Sequence, residues 1–182
     1  MAGAFNPPTT AHVGLISAAK SYVDEVLCIV PRAFPHKPYF GATLEQRIEM
    51  LEALDLGVPA SIATTEQGLF IDIARECRAA CGPDACLRFV CGRDAAERIL
   101  TWDYGRPGVA EEMLREFDLL VAARGGEFTV PREFRDRIVA LVVEGGLDSV
   151  SSTEVRDRIA KGERWIDLVP REIVERVREI YS

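Results

Sequence analysis

Three short apolar runs, at residues 25–30, 86–91 and 118–123, constrain the fold of this chain more than any other feature. In the first, Val26, Leu27, Cys28, Ile29 and Val30 follow one another without a polar break. A run of that length, with no alternation, suits a strand covered on both faces, as in a parallel sheet. Shorter strands are expected at 62–65 and 138–143. Segments with helical spacing separate them, at 11–22, 44–56, 70–80, 95–100, 109–117, 153–161 and 171–181. Strand and helix alternate with crossovers long enough to be helical, which predicts an α/β fold with a doubly wound parallel sheet. Ligands of such a sheet sit beyond the carboxyl ends of its strands. Polar clusters at 5–12, 31–37, 92–94 and 149–156 fall at those ends, so one site is expected rather than several.

A chain of 182 residues suffices for a single domain, with 151–182 as a closing helical segment. A formal net charge of −7 argues against nucleic acid or an anionic membrane as partner, so any anion site must be local. No apolar run approaches a membrane span and the start has no signal-peptide pattern, so the expected compartment is the cytoplasm. Cys28 and Cys91 lie in apolar runs and read as small core residues. Cys77 and Cys81 are four apart on a helix, but no histidine is near in sequence and Cys86 does not extend them to a CxxC pattern; reduced thiols are favoured over zinc.

The anion candidate at the start is Gly3-Ala4-Phe5-Asn6-Pro7-Pro8-Thr9-Thr10-Ala11-His12. Pro7-Pro8 stiffens a turn, and Thr9 or Thr10 is a good N-cap for the helix that follows. His12 then stands in the first turn, where unpaired backbone N–H groups attract anions. A capping turn with an incidental histidine is the plainer alternative. Only Met1 and Ala2 precede this loop, so the strand expected to support it looks absent.

A second candidate is Val150-Ser151-Ser152-Thr153-Glu154-Val155-Arg156. Ser151 with Glu154 has capping-box spacing, and Val150 with Val155 that of a hydrophobic staple. Capping does not explain Arg156, a cation near the positive end of a helix, where it costs up to about 1 kcal/mol without an anion. Ser152 and Arg156 are four apart and can face one ligand. Elsewhere, Thr43 with Gln46 is a capping box for the helix at 44–56, with Leu44, Ile48, Leu51 and Leu54 as its buried stripe. Asp94 is the expected cap of the helix at 95–100.

Together the two segments resemble the signatures of the HxGH-type nucleotidylyltransferases, G-x-F-x-P-x-[H/T]-x-G-H near the start and an ISSTxxR-like motif late. Gly3, Phe5, Asn6, Pro7, Thr9 and His12 match in register, and Val150–Arg156 matches with Val for Ile. Within that superfamily the chain is most similar to bacterial nicotinate (nicotinamide) mononucleotide adenylyltransferases, through Pro35-His36-Lys37, Arg47, Glu66, Gly92-Arg93-Asp94, Trp102 and Leu168-Val169-Pro170. The resemblance implies a Rossmann-like fold and attack of a mononucleotide 5′-phosphate on the α-phosphate of ATP, with Mg²⁺ bridging the phosphates. It implies that His12, Lys37 and Arg47 act on phosphate groups, His12 in the transition state. ATP would be held by Gly3, Phe5, Thr9, His12, Asp94, Ser152, Thr153 and Arg156. The acceptor would meet Asp72 and Trp102, the indole near the pyridine ring, and a homo-oligomer is left open.

Read without the motifs, Lys37 and Arg47 are ordinary surface cations, Trp102 is a core aromatic and His36 is loop structure. Ala11 stands where the motif has glycine, which a helix tolerates. Phe70 and Ile73 stand where the bacterial enzymes carry hydroxyls in an SYTxDT-like stretch, of which Asp72 matches. That departure motivates two alternatives: a nucleotidylyltransferase with another phosphorylated acceptor, or a nucleotide-binding relative without turnover.

Overall fold

The computed structural model describes residues 1–32, 41–122, 128–143 and 150–182. Strands β1 (Val26–Pro31) and β2 (Ala60–Thr65) pair in parallel, and β3 (Arg88–Gly92), β4 (Asp118–Ala122) and β5 (Ile138–Leu141) form a second parallel set in that order. The chain's first residues run alongside β1. Ala2 makes a parallel bridge to Ile29, Ile29 N–H donates to Met1 O at 2.9 Å, and Gly3 N–H donates to Ile29 O at 3.1 Å. As expected, no strand precedes α1 among the described residues, but the stretch ahead of the first loop is paired to β1 by this isolated bridge. Three residues do the work of anchoring it.

Helices cover both faces, as the unbroken apolar runs require. Cys28 and Val30 of β1 pack with Ile16 of α1 (Thr10–Ala19) and Leu51 of α2 (Leu44–Glu52). Ile29 faces the other way, into a cluster with Ile73 of α3 (Phe70–Cys81), Ile99 of α4 (Arg93–Thr101) and Met113 of α5 (Val109–Glu116). The same alternation holds in β3, where Phe89 and Cys91 join that cluster while Val90 packs with Leu15 and Ala19 of α1. Phe89 stands edge-on to Phe70 and to Phe117, with ring centroids 4.9 and 4.7 Å apart. A separate cluster joins the closing segment to the rest. Val155 of α6 (Ser152–Lys161) and Val177 of α7 (Val174–Tyr181) pack with Ala42 and Met50.

Several local expectations are corrected. In α2 the fully buried residues are Arg47, Met50 and Leu51; Leu44 and Leu54 are only partly covered, because the helix turns Arg47 inward. α4 begins at Arg93 with Gly92 as its N-cap and no side-chain cap, so Asp94 lies inside the first turn. Ser151 caps α6 by accepting from Glu154 N–H at 3.1 Å, but Glu154 spends its carboxylate on Arg158 at 2.6 Å rather than completing a box. α1 stops at Ala19, three residues early, where Lys20 and the turn at Tyr22 close it.

Candidate active site

The site is built on the loop between Gly3 and the start of α1. Thr9 is the N-cap, with φ −126° and ψ 164°, and His12 is the third helical residue. A capping box forms with histidine in place of the usual glutamate: Thr9 N–H donates to His12 Nδ1 at 3.0 Å, and the Thr9 hydroxyl lies 2.7 Å from the same nitrogen. A backbone N–H aimed at Nδ1 makes that nitrogen an acceptor, which puts the proton of the neutral ring on Nε2. His12 is thus set up as a hydrogen-bond donor through Nε2. Its ring leans on Phe5, with centroids 5.1 Å apart and planes at 48°. Phe5 is itself fully buried and holds a φ of +50°, rare for a residue with a side chain, so the turn is strongly determined by its surroundings. No acidic residue occupies the first turn of α1, leaving its positive end uncompensated by side chains. The Asn6–Pro7 peptide is cis.

The loop's carbonyls are gripped one after another. Arg47, only 1% exposed, donates to Ala4 O and Pro31 O, each at 3.1 Å, and to Thr43 O at 3.4 Å. Arg156 donates to Asn6 O at 2.5 Å and lies 3.3 Å from the Thr153 hydroxyl. Ser152 donates to Pro7 O at 2.7 Å. The Thr10 hydroxyl donates to Leu168 O at 3.3 Å. Ser152 and Arg156 both reach the first loop, at the neighbouring carbonyls of Pro7 and Asn6. The charge near the N-terminus of α6 is met there by a carbonyl dipole, so the starts of α1 and α6 and the end of β1 meet at one loop.

The other expected residues are distributed as follows. Arg47 is no surface cation; it is buried, and its guanidinium braces the loop through Ala4 O and Pro31 O. Lys37 and His36 lie outside the described residues. Asp94 is exposed on the first turn of α4, 3.8 Å from Arg93. Asp72, in the first turn of α3, pairs with Arg75 at 3.5 Å. Trp102 is 62% exposed at the end of α4, so it is not a core aromatic. Glu66 pairs with Arg32 at 3.4 Å, beside the junction where Arg32 N–H donates to Thr65 O. Ile73 is buried in the main core and Phe70 packs against Phe89, so the two departures from hydroxyl residues serve packing.

Sequence reasoning assigned no role to Asn6 beyond its place in the motif, and none to Gly41 or Tyr181. Asn6 Oδ1 accepts from Ala42 N–H at 3.1 Å and from the Tyr181 hydroxyl. An asparagine before a proline in a loop is a recognisable signal; a tyrosine 175 residues away is not.

The cytidylyltransferase-like family profile matches residues 1–158. A probable nicotinate-nucleotide adenylyltransferase of Streptomyces coelicolor is 30% identical over 200 residues, covering 100% of this chain and 98% of the relative. One of Bordetella avium is 26% identical over 196 residues, covering 98% and 93%. The Plasmodium falciparum nicotinic acid mononucleotide adenylyltransferase complexed with APC superposes with a TM-score of 0.70 at 15% identity, covering 96% of this chain and 92% of that one. That likeness establishes the Rossmann-like fold. With the motif loop, the two converging helix starts and the profile over most of its length, the chain belongs to the cytidylyltransferase-like family and is a nucleotidylyltransferase.

Proposed function

We propose that the chain transfers the adenylyl group of ATP to the 5′-phosphate of a pyridine mononucleotide, nicotinate mononucleotide before nicotinamide mononucleotide, in the making of NAD. The observation that carries this reading is the Thr9–His12 capping box, which presents a donor nitrogen at a helix start beside the loop gripped by Ser152 and Arg156. The names of the full-length relatives support the choice of acceptor. In the reaction an oxygen of the acceptor phosphate attacks the α-phosphorus, the bond to the bridging oxygen breaks, and pyrophosphate leaves. No covalent intermediate with the protein is needed, so alignment and neutralisation of charge are what the protein supplies.

In this reading His12 Nε2–H donates to the α-phosphate as charge develops on it. The Gly3–Thr9 backbone, shaped by Phe5, cradles the adenylyl moiety. Ser152, Thr153 and Arg156 take the β- and γ-phosphates, Arg156 sharing its guanidinium between Asn6 O and a phosphate oxygen. Lys37 adds a cation, and Arg47 keeps the loop in place. Asp94 stands on the nucleotide side, and Asp72 and the exposed Trp102 on the acceptor side, where an indole can stack on a pyridine ring. Mg²⁺ enters as part of the ATP substrate.

Incubation with Mg-ATP and each mononucleotide in turn, following pyrophosphate and dinucleotide mass, tests the proposal. Equal amounts of both products with a pyridine mononucleotide are expected. Silence with both, but release with another phosphorylated acceptor, overturns the acceptor. Thermal stabilisation by ATP without pyrophosphate from any acceptor makes the chain a nucleotide binder.

A further inference from the structure

The closing helix reaches the site loop at one atom. Asn6 is 5% exposed, and its Oδ1 takes Ala42 N–H at 3.1 Å on one side and the Tyr181 hydroxyl on the other. A carbonyl oxygen has two lone pairs, so these two donors match its capacity. Beneath them is Gly41, at φ +106°, where an added Cβ would lie 2.7 Å from Asn6 Oδ1 and 3.0 Å from the Tyr181 ring. The three groups are in close contact and leave little freedom for the Asn6 side chain. The Asn6 carbonyl is held separately by Arg156, so the residue is fixed at both its backbone and its side chain.

Tyr181 is itself well supported. It sits in the last turn of α7, whose Val177 packs with Val155, Met50 and Ala42, while Arg176 pairs with Glu49 of α2. A rigid helix thus delivers the phenol to a loop at the other end of the chain. Residues 159–182 lie beyond the family profile, so this support belongs to a part of the chain the family match does not describe. Five residues separate Asn6 from His12, and the segment between contains two prolines, which transmit a shift of Asn6 rather than absorb it.

We propose that Tyr181 is a positioning residue of the nucleotide site, acting through Asn6 to hold the loop that carries Thr9 and His12. The inference rests on the reading of that loop as the nucleotide site, yet its structural half can be tested without turnover.

The experiment compares the full chain with Tyr181→Phe, which keeps the ring and removes only the hydroxyl. Amide exchange is read by mass spectrometry with fragments resolving Thr9–His12 and Ala42. About tenfold faster exchange is expected at Ala42 and in Thr9–His12, with β3 and β4 unchanged. Unchanged exchange in both fragments overturns the proposal, as does an increase spread evenly over the molecule. Affinity for a non-hydrolysable ATP analogue is then measured for the wild type, Tyr181→Phe, Asn6→Ala and the double variant. Tyr181→Phe should weaken binding about fivefold alone and less than twofold beside Asn6→Ala. An equal loss in both backgrounds overturns the route through Asn6. Wild-type protein that binds no ATP analogue defeats the nucleotide-site reading, while the exchange comparison still decides whether Tyr181 holds the loop.

Discussion

His12 and Asn6 divide the work of the site loop between them at the scale of single residues. His12 is bound to Thr9 by a reciprocal cap, so its ring orientation comes from the helix start itself. His12→Ala removes the Nε2 donor but little core packing. A fall in turnover of about 10²–10³-fold is expected, with an unfolding midpoint lowered only by the lost bond to Thr9 N–H, and near-normal rates would contradict the assigned role. Gly41 is the reverse case, a residue with no chemistry whose space is essential. Gly41→Ala forces a Cβ to 2.7 Å from Asn6 Oδ1 at a positive φ, and should cost about 1–3 kcal/mol in denaturant unfolding. The thiols separate in the same residue-by-residue way. Burial pushes Cys91 up to about 12 and raises Cys28, whereas Cys81 and Cys86 are exposed. A thiol reagent followed by peptide mapping should label Cys81 and Cys86 in the folded protein, and Cys28 and Cys91 only after unfolding.

Elements meet at this loop through cations that bind carbonyls. Arg47 ties α2 to the end of β1 and to Ala4, and Arg156 ties α6 to Asn6. Arg47 shares the face of the α2 stripe, three residues after Leu44 and four before Leu51, yet periodicity counts apolar residues and cannot see a carbonyl waiting 43 residues earlier. Arg47→Met keeps much of the volume and removes the donors. It should destabilise the protein by about 2–4 kcal/mol, since buried carbonyls are left without partners. Arg47→Lys should rescue only part of this, because one ammonium cannot reproduce a fork that spans Ala4 and Pro31. A chemical denaturation series of the two variants checks the order; a neutral Arg47→Met would mean the carbonyls find other donors. Helix starts, by contrast, are well marked in the sequence. Thr43 with Gln46 forms both bonds of its box, and Thr9 and Ser151 are caps where hydroxyl residues precede periodic segments.

Over the whole molecule, some of the described surface carboxylates are held by arginines. Arg106 bonded to Glu112 holds that carboxyl below its ordinary 4.5, and Arg164 holds Asp167 below 3.8. A carboxyl lowered in the folded state adds stability above its unfolded pKa and loses it as pH falls through the folded one. The unfolding midpoint should therefore drop as pH goes from about 4.5 to about 3, and by less in about 0.5 M salt, since these exposed pairs are screened. A midpoint that rises over that interval would break the argument. The apolar stretches 26–30, 89–91 and 119–122 by themselves determined a parallel sheet covered on both faces, because only burial on two sides tolerates such runs. The cap residues Thr9, Thr43 and Ser151 likewise determined where three helices begin, since capping acts within a few residues of sequence. Tertiary structure alone decided what Arg47, Arg156, Gly41 and Tyr181 do: their partners in the first loop, Ala4 and Asn6, lie 35 to 175 residues away, beyond the reach of any local pattern. It also decided that Met1–Gly3 lies against β1, a pairing made by backbone groups that every residue carries and no sequence motif can mark.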